Sequence, residues 1–141
     1  MPRLLSIGEL AERTGVAATA LRYYDELGLV QPAARASGRR RYAASAVAEV
    51  GMIVFLREVG FSLAEIGSLV AGDGRRSWRA IVDRKLVELA DQQHRLDVAR
   101  TALEHAQRCP VGEPLRCSRF WSIIEGQQRG FSLEESHARA H

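Results

Sequence analysis

Two groups of residues in this 141-residue chain have the types and spacing to do chemistry. The first is the segment CPVGEPLRC, which holds both cysteines, Cys109 and Cys117, with seven residues between them. In a reducing compartment two such thiols suit a soft metal ion, a redox signal or plain packing, and a structural disulfide is the minority reading. The second group is Arg35, Arg39, Arg40 and Arg41, in a stretch that ends at Tyr42 and contains no acid. It lies downstream of Arg22, Tyr23 and Tyr24, and closely set guanidiniums beside aromatic rings suit a phosphate backbone. Residues 1–43 carry seven Arg against four acids, whereas residues 44–108 balance at nine against nine and residues 109–141 at four against four. The whole net charge of +3 therefore falls in the first third, where a polyanion is expected to bind.

Two further groups carry weaker signals. His105 stands four residues before Cys109, one helical turn away, which suggests a mixed His/Cys zinc site; His137 and His141 are weaker candidates. Trp78, Phe120 and Trp121, with Ile123 and Ile124, have the character of a pocket for a hydrophobic or cationic aromatic effector. The commoner role for such aromatics is to pack a C-terminal helix in place. No Gly-rich phosphate loop, HExxH or Ser/His/Asp grouping occurs, so the chain is not expected to be an enzyme. There is no apolar run of membrane-spanning length and no signal peptide, so a cytoplasmic protein without a membrane partner is expected.

The elements that must position these groups are mainly helical. Ser6 with Glu9 makes a capping box ahead of a short helix, Thr14-Gly15-Val16 forms a break, and AATALRYYDELG predicts a second helix closed by Gly28. Ile7, Leu10, Ala11, Val16, Leu21 and Leu27 are expected to share the core between them. This is the helix-turn-helix pattern, whose second helix enters the major groove of double-stranded DNA. A hairpin turning at Ser37-Gly38 would present the arginines on a wing. Val47, Val50, Ile53, Val54 and Phe55 recur at helical spacing up to Gly60, and a second capping box, Ser62 with Glu65, starts the next helix, with Phe61 stapled onto Ile66. From about Ser77 to Arg108 there is neither Gly nor Pro, and Val82, Leu89, Leu96 and Leu103 repeat every seven residues, with Leu86 beside them. That is a coiled-coil seam on one long helix, suited to the same stripe of a second subunit. A third capping box, Ser132 with Glu135, starts a short terminal helix. The expected organisation is a DNA-binding domain over 1–75, a dimerisation helix over 76–108, and an effector loop with short helices over 109–141.

Assembled in order, IGELAERTGVAATALRYYDELGLVQP, the wing ending GRRRY, LREVGFSLAEI and the long helix before a cysteine-bearing loop resemble the MerR family of bacterial transcription regulators. The resemblance implies a winged helix-turn-helix followed by a long antiparallel coiled coil, in a homodimer on a near-palindromic promoter element. It implies work with RNA polymerase, in which the effector-bound form bends and untwists spacer DNA. It places Arg22 and Tyr24 at the DNA on the recognition helix, and Arg35, Arg40 and Tyr42 on the wing. Thr14, Ala18, Tyr23, Arg39 and Arg41 complete the expected contact set. Arg39 stands where many members carry an aromatic residue, a spacing closer to the redox-responsive, iron–sulphur branch. Metal-sensing members carry two cysteines flanking a loop just after the coiled coil, the location of Cys109 and Cys117. Two thiolates suit Cu(I) or Ag(I) better than zinc. An iron–sulphur cluster is not expected, because it needs four cysteines and the subunit has two. The alternatives are a sensor of a hydrophobic small molecule with structural cysteines, and a coiled-coil interaction module without DNA binding.

Overall fold

The computed structural model describes residues 2–72 and 75–141. The chain forms two compact units, Met1–Lys85 and Leu86–His141.

In the first unit, strand β1 (Leu5–Ser6) runs directly into helix α1 (Ile7–Thr14). The Ser6 hydroxyl accepts from the Glu9 amide at 3.1 Å, and the Glu9 carboxylate accepts from the Ser6 amide at 2.8 Å. Two of the free amides at the helix start are thereby satisfied. Helix α2 (Ala18–Glu26) follows, then strands β2 (Ala34–Ala36) and β3 (Arg39–Tyr42), which pair antiparallel as Ala34↔Arg41, Arg35↔Arg40 and Ala36↔Arg39. Their turn uses left-handed backbone at both central residues, Ser37 at φ 52° and Gly38 at φ 72°. That geometry matches the twist of the strands it joins. β1 adds to the other edge of β3 through Leu5↔Tyr42 and Ser6↔Arg41. This third strand was not anticipated, because two residues leave no alternating pattern to read.

Helix α3 (Ala46–Val59) stops at Gly60, and α4 (Leu63–Ala71) starts from the Ser62/Glu65 capping box. The core joins Leu5, Leu10, Leu21, Val30, Tyr42, Val50, Ile53, Phe61 and Ile66, so residues from the strands and all four helices meet in it. Ile7, Ala11 and Val16 pack on its edge as expected. Leu27 does not: it is 45% exposed at the C-cap of α2, where the chain turns, and Leu29 and Val30 fill the core instead. Phe55 also faces outward, because it lies on the side of α3 opposite Ile53 and Leu56.

Helix α5 (Arg75–Gln107) has 33 residues and is about 50 Å long at 1.5 Å per residue. Near the end of the first unit, the Lys85 amine donates to the Gly60 carbonyl at 3.1 Å, pairs with Glu65 at 3.1 Å and lies over the Phe61 ring. One cation thus ties α5 to the corner between α3 and α4. In the second unit the remainder of α5 is followed by a 3-10 turn (Pro114–Arg116), α6 (Ser118–Gln128) and α7 (Leu133–Ala140), the last started by the Ser132/Glu135 box. α6 and α7 approach closely at Gly126, where an added Cβ would stand 2.7 Å from Ser136 Oγ and 3.0 Å from Ser136 Cβ.

Candidate nucleic-acid interface and thiol loop

α2 and the wing hairpin divide their polar residues between two tasks. Arg22 and Tyr23 are exposed on α2, and Arg35 and Arg39 are exposed on the wing. These four are free to meet phosphate. Tyr24 and Tyr42, expected at the nucleic acid, are buried in the core, and Ala18 is half-buried. Thr14 closes α1: its hydroxyl donates to the Leu10 carbonyl at 2.8 Å and accepts from the Val16 amide at 3.3 Å.

What joins the wing to α2 is Asp25, a residue absent from the expected set. Its Oδ2 accepts from the Tyr42 hydroxyl at 3.2 Å and from Arg40 Nε at 2.7 Å. The Asp25 and Arg40 side chains are 10% and 25% exposed, so the pair is partly shielded from water and stronger than a surface pair. Burial, with the Asp25 charge added, pushes the Tyr42 hydroxyl above its ordinary pKa of 10.0. The phenol therefore stays protonated and keeps donating. Arg40 and Tyr42 hold the wing against α2, while Arg41, half-buried, shares the β3 ladder with both β1 and β2. The signal available for Asp25 was its place one turn after Leu21 on α2, with a basic wing still to come.

In the second unit Cys109 and Cys117 come together, Sγ to Sγ at 3.6 Å, both as free thiols and both half-buried. Pro114 opens the turn that returns the chain, and the Cys117 amide donates to the Pro114 carbonyl at 3.1 Å. Cys117 is also the N-cap of α6. Hydrogen bonding from the Phe120 amide lowers its thiol pKa from 9.0, assisted by Cys109 and the Arg119 amide and charge. A thiolate is the ligand and the nucleophile among sulphur species, and a helix N-terminus favours it. Trp121 Nε1 donates to the Leu115 carbonyl at 2.7 Å, and its ring meets Phe120 edge-on at 5.8 Å between centroids. These two aromatics brace the cysteine loop. Trp78, expected to join them, belongs to the first unit.

The apolar seam on α5 has no cover within the second unit: Leu86, Leu96 and Leu103 are 59%, 71% and 70% exposed. Leu96, Ala99 and Leu103, with the stems of Arg100, Glu104 and Gln107, line a shallow groove. Val82 and Leu89 are half-buried. His105 does not turn toward Cys109 but meets His137 and His141. No helix among the described residues is long and apolar enough to cross a membrane.

Comparison with known proteins gives these groups a context. Residues 5–73 match the model of the MerR HTH family of regulatory proteins, and residues 47–106 match a MerR DNA-binding model. The chain is 35% identical over 125 residues to the HTH-type transcriptional regulator HmrR of Rhizobium leguminosarum bv. viciae, covering 79% of this chain and 97% of that protein. It is 32% identical over 116 residues to the mercuric resistance operon regulatory protein of Bacillus cereus, covering 77% and 88%. Among solved structures, a MerR-family transcriptional regulator from Bacillus cereus shares the fold at a TM-score of 0.63 and 24% identity, covering 91% of this chain and 98% of that one.

Proposed function

The chain belongs to the MerR HTH family of regulatory proteins, and from that premise we propose that it is a promoter switch that works as a homodimer and answers to a soft metal ion. As a member it is a DNA-binding transcription regulator and not an enzyme. The proposed DNA contacts are Arg22, Tyr23, Arg35 and Arg39, with Arg41 at the wing's edge. Arg40 and Tyr42 act by fixing the angle between wing and recognition helix, and Tyr24 belongs to the core. Phosphate contacts of this kind set orientation, while distortion of the spacer carries the regulatory energy.

One observation carries the effector reading: two free thiols 3.6 Å apart, one of them held toward thiolate at a helix N-terminus. The donor set fits a soft ion such as Cu(I) or Ag(I), since thiolates select soft metals. Cys109 and Cys117 would hold the ion, and Trp121, bonded to Leu115, keeps the loop closed around them. One relative is a mercuric resistance operon regulator by name, which supports a metal signal without choosing the ion. Moving a promoter complex from one per cent to ninety-nine per cent active requires the ion to favour the active state by about 5.5 kcal/mol. Apparent ion affinities of thiolate sites, about 10–16 kcal/mol for structural zinc, leave room for that difference.

Run-off transcription from the cognate promoter, with anaerobically purified dimer and polymerase, tests the proposal. Cu(I) or Ag(I) should raise transcript yield, and Cys109→Ser with Cys117→Ser should abolish the response while promoter binding persists. Two free thiols, no bound metal and no response to either ion would overturn the effector assignment. Promoter binding unaffected by replacing Arg22 and Arg39 would overturn the interface.

A further inference from the structure

Three imidazoles make up the one group of three or more metal-ligating side chains found among the described residues. His105 Nδ1 lies 2.9 Å from His137 Nε2 and 3.2 Å from His141 Nε2, and one ligand atom from each residue falls within 4.8 Å of the others. All three belong to the second unit, His105 near the end of α5, His137 on α7 and His141 as its C-cap. His137 and His141 are one helical turn apart, so both rings project from one side of α7. The His105 and His137 rings stack at 4.7 Å between centroids, and His141 stands edge-on at 4.7 Å to His105 and 4.6 Å to His137.

From this geometry we infer that His105, His137 and His141 form a second metal site, separate from the cysteine pair, that takes a borderline divalent ion such as Zn²⁺ and clamps α7 to the end of α5. The spacing agrees with that chemistry. A zinc ion with Zn–N bonds of about 2.0–2.1 Å in tetrahedral geometry sets its nitrogen ligands about 3.3–3.4 Å apart, so the two short separations need to open by a few tenths of an ångström and the third, within 4.8 Å, to close by at most about 1.5 Å. Neutral imidazoles select zinc, cobalt, nickel or copper(II) over the hard ions that prefer carboxylates. Two of the rings are exposed, so the fourth position faces solvent, as in sites with three protein ligands. The thiols select a different class of ion, and His94–Glu134, at 2.7 Å, is a second and independent tie between α5 and α7.

Titration of the full-length, metal-free protein with Co²⁺ alone tests the assignment. Cys109→Ser with Cys117→Ser should leave cobalt affinity and its visible ligand-field bands intact, with no thiolate-to-cobalt charge transfer in the near ultraviolet. His105→Ala and His137→Ala should each weaken binding by at least about tenfold, and Zn²⁺ should displace the cobalt. His137→Gln, which keeps polarity and size, serves if the alanine variant fails to fold, and it should weaken cobalt equally. Binding unchanged in a folded His105→Ala or His137→Gln variant, or lost in the double-serine protein, would overturn the site. Neither result bears on the Cu(I) response, so the two metal assignments fail separately.

Discussion

Replacing Asp25 with Asn sets two effects against each other on the wing. The substitution removes a negative charge beside the proposed phosphate-binding face, which alone should tighten DNA binding. At a separation of roughly 10 Å in water that gain is only about 0.4 kcal/mol per phosphate, before salt screening. Against it, Arg40 loses its 2.7 Å partner and the buried Tyr42 hydroxyl its charged acceptor. An under-satisfied buried hydroxyl costs about 1–3 kcal/mol. The Arg40 pair, a quarter exposed on the Arg side, adds about 1 kcal/mol after allowance for solvent. The expected outcome is a folding stability lower by about 2 kcal/mol and a promoter affinity lower by roughly tenfold, because part of the cost of ordering the wing moves into the binding step. Urea denaturation at fixed protein concentration reads the first, and fluorescence anisotropy with promoter DNA at several salt concentrations reads the second. Tyr42→Phe should cost less in the Asp25→Asn background than in the wild type, because the two groups share one bond. Tighter promoter binding with unchanged stability would refute the idea that Asp25 holds the wing, and would leave it as a surface charge.

Other perturbations follow from the same contacts. Arg35→Ala and Arg39→Ala should each reduce the slope of log affinity against log salt by about 0.9, whereas Arg40→Ala, already paired with Asp25, should change the slope less and stability more. Gly126→Ala should destabilise the α6–α7 hairpin by about 1 kcal/mol, the crowding of Ser136 outweighing the gain in helix propensity. Ser136→Ala should be neutral or stabilising in urea melts, since its buried Oγ has no hydrogen-bond partner. The hydrogen bond to Glu134, with that residue's charge, raises the His94 pKa above 6.5, so its contribution is full below 6.5 and is lost as pH rises through the folded value. His94→Gln should therefore lower the urea midpoint of the wild type most on the acid side, with the gap closing as pH rises past the raised folded value. Leu96→Asp with Leu103→Asp should shift sedimentation from dimer to monomer without loss of helical circular dichroism.

What could be read in the sequence was local. The three Ser-x-x-Glu boxes and the Gly60 stop each act within a turn of chain, and each stands where expected. The Ser37-Gly38 turn was equally legible, because few residue pairs tolerate left-handed backbone twice in succession. Contacts that close over distance were not. Leu27 and Leu29 are both apolar and two residues apart; which one turns inward depends on where α2 ends, and propensity does not set that to a single residue. Asp25 reads as an ordinary helix-surface acid until β3 brings Arg40 and Tyr42 to it, seventeen residues on in the case of the tyrosine. His105 is more than thirty residues from His137 and His141, and only the return of α6 and α7 along α5 makes the three a cluster.

The exposed seam on α5 also bears on why the proposed effector loop stands where it does. In the proposed dimer Leu86, Leu96 and Leu103 bury most of their surface, six side chains in all. At about 1.5–3 kcal/mol for a fully buried leucine, and roughly two-thirds of that for side chains already part covered, they contribute about 6–12 kcal/mol. Association itself costs about 4–15 kcal/mol. The leucines alone therefore bring the dimer only near balance, and the half-buried Val82 and Leu89 and the segment after α5 must supply the surplus. That segment holds the thiol pair and, through His105, His137 and His141, the second cluster. A binding event there needs to contribute only a few kcal/mol to change how two copies are held together. A longer, fully apolar seam would assemble tightly with or without a signal and would leave the loop nothing to regulate.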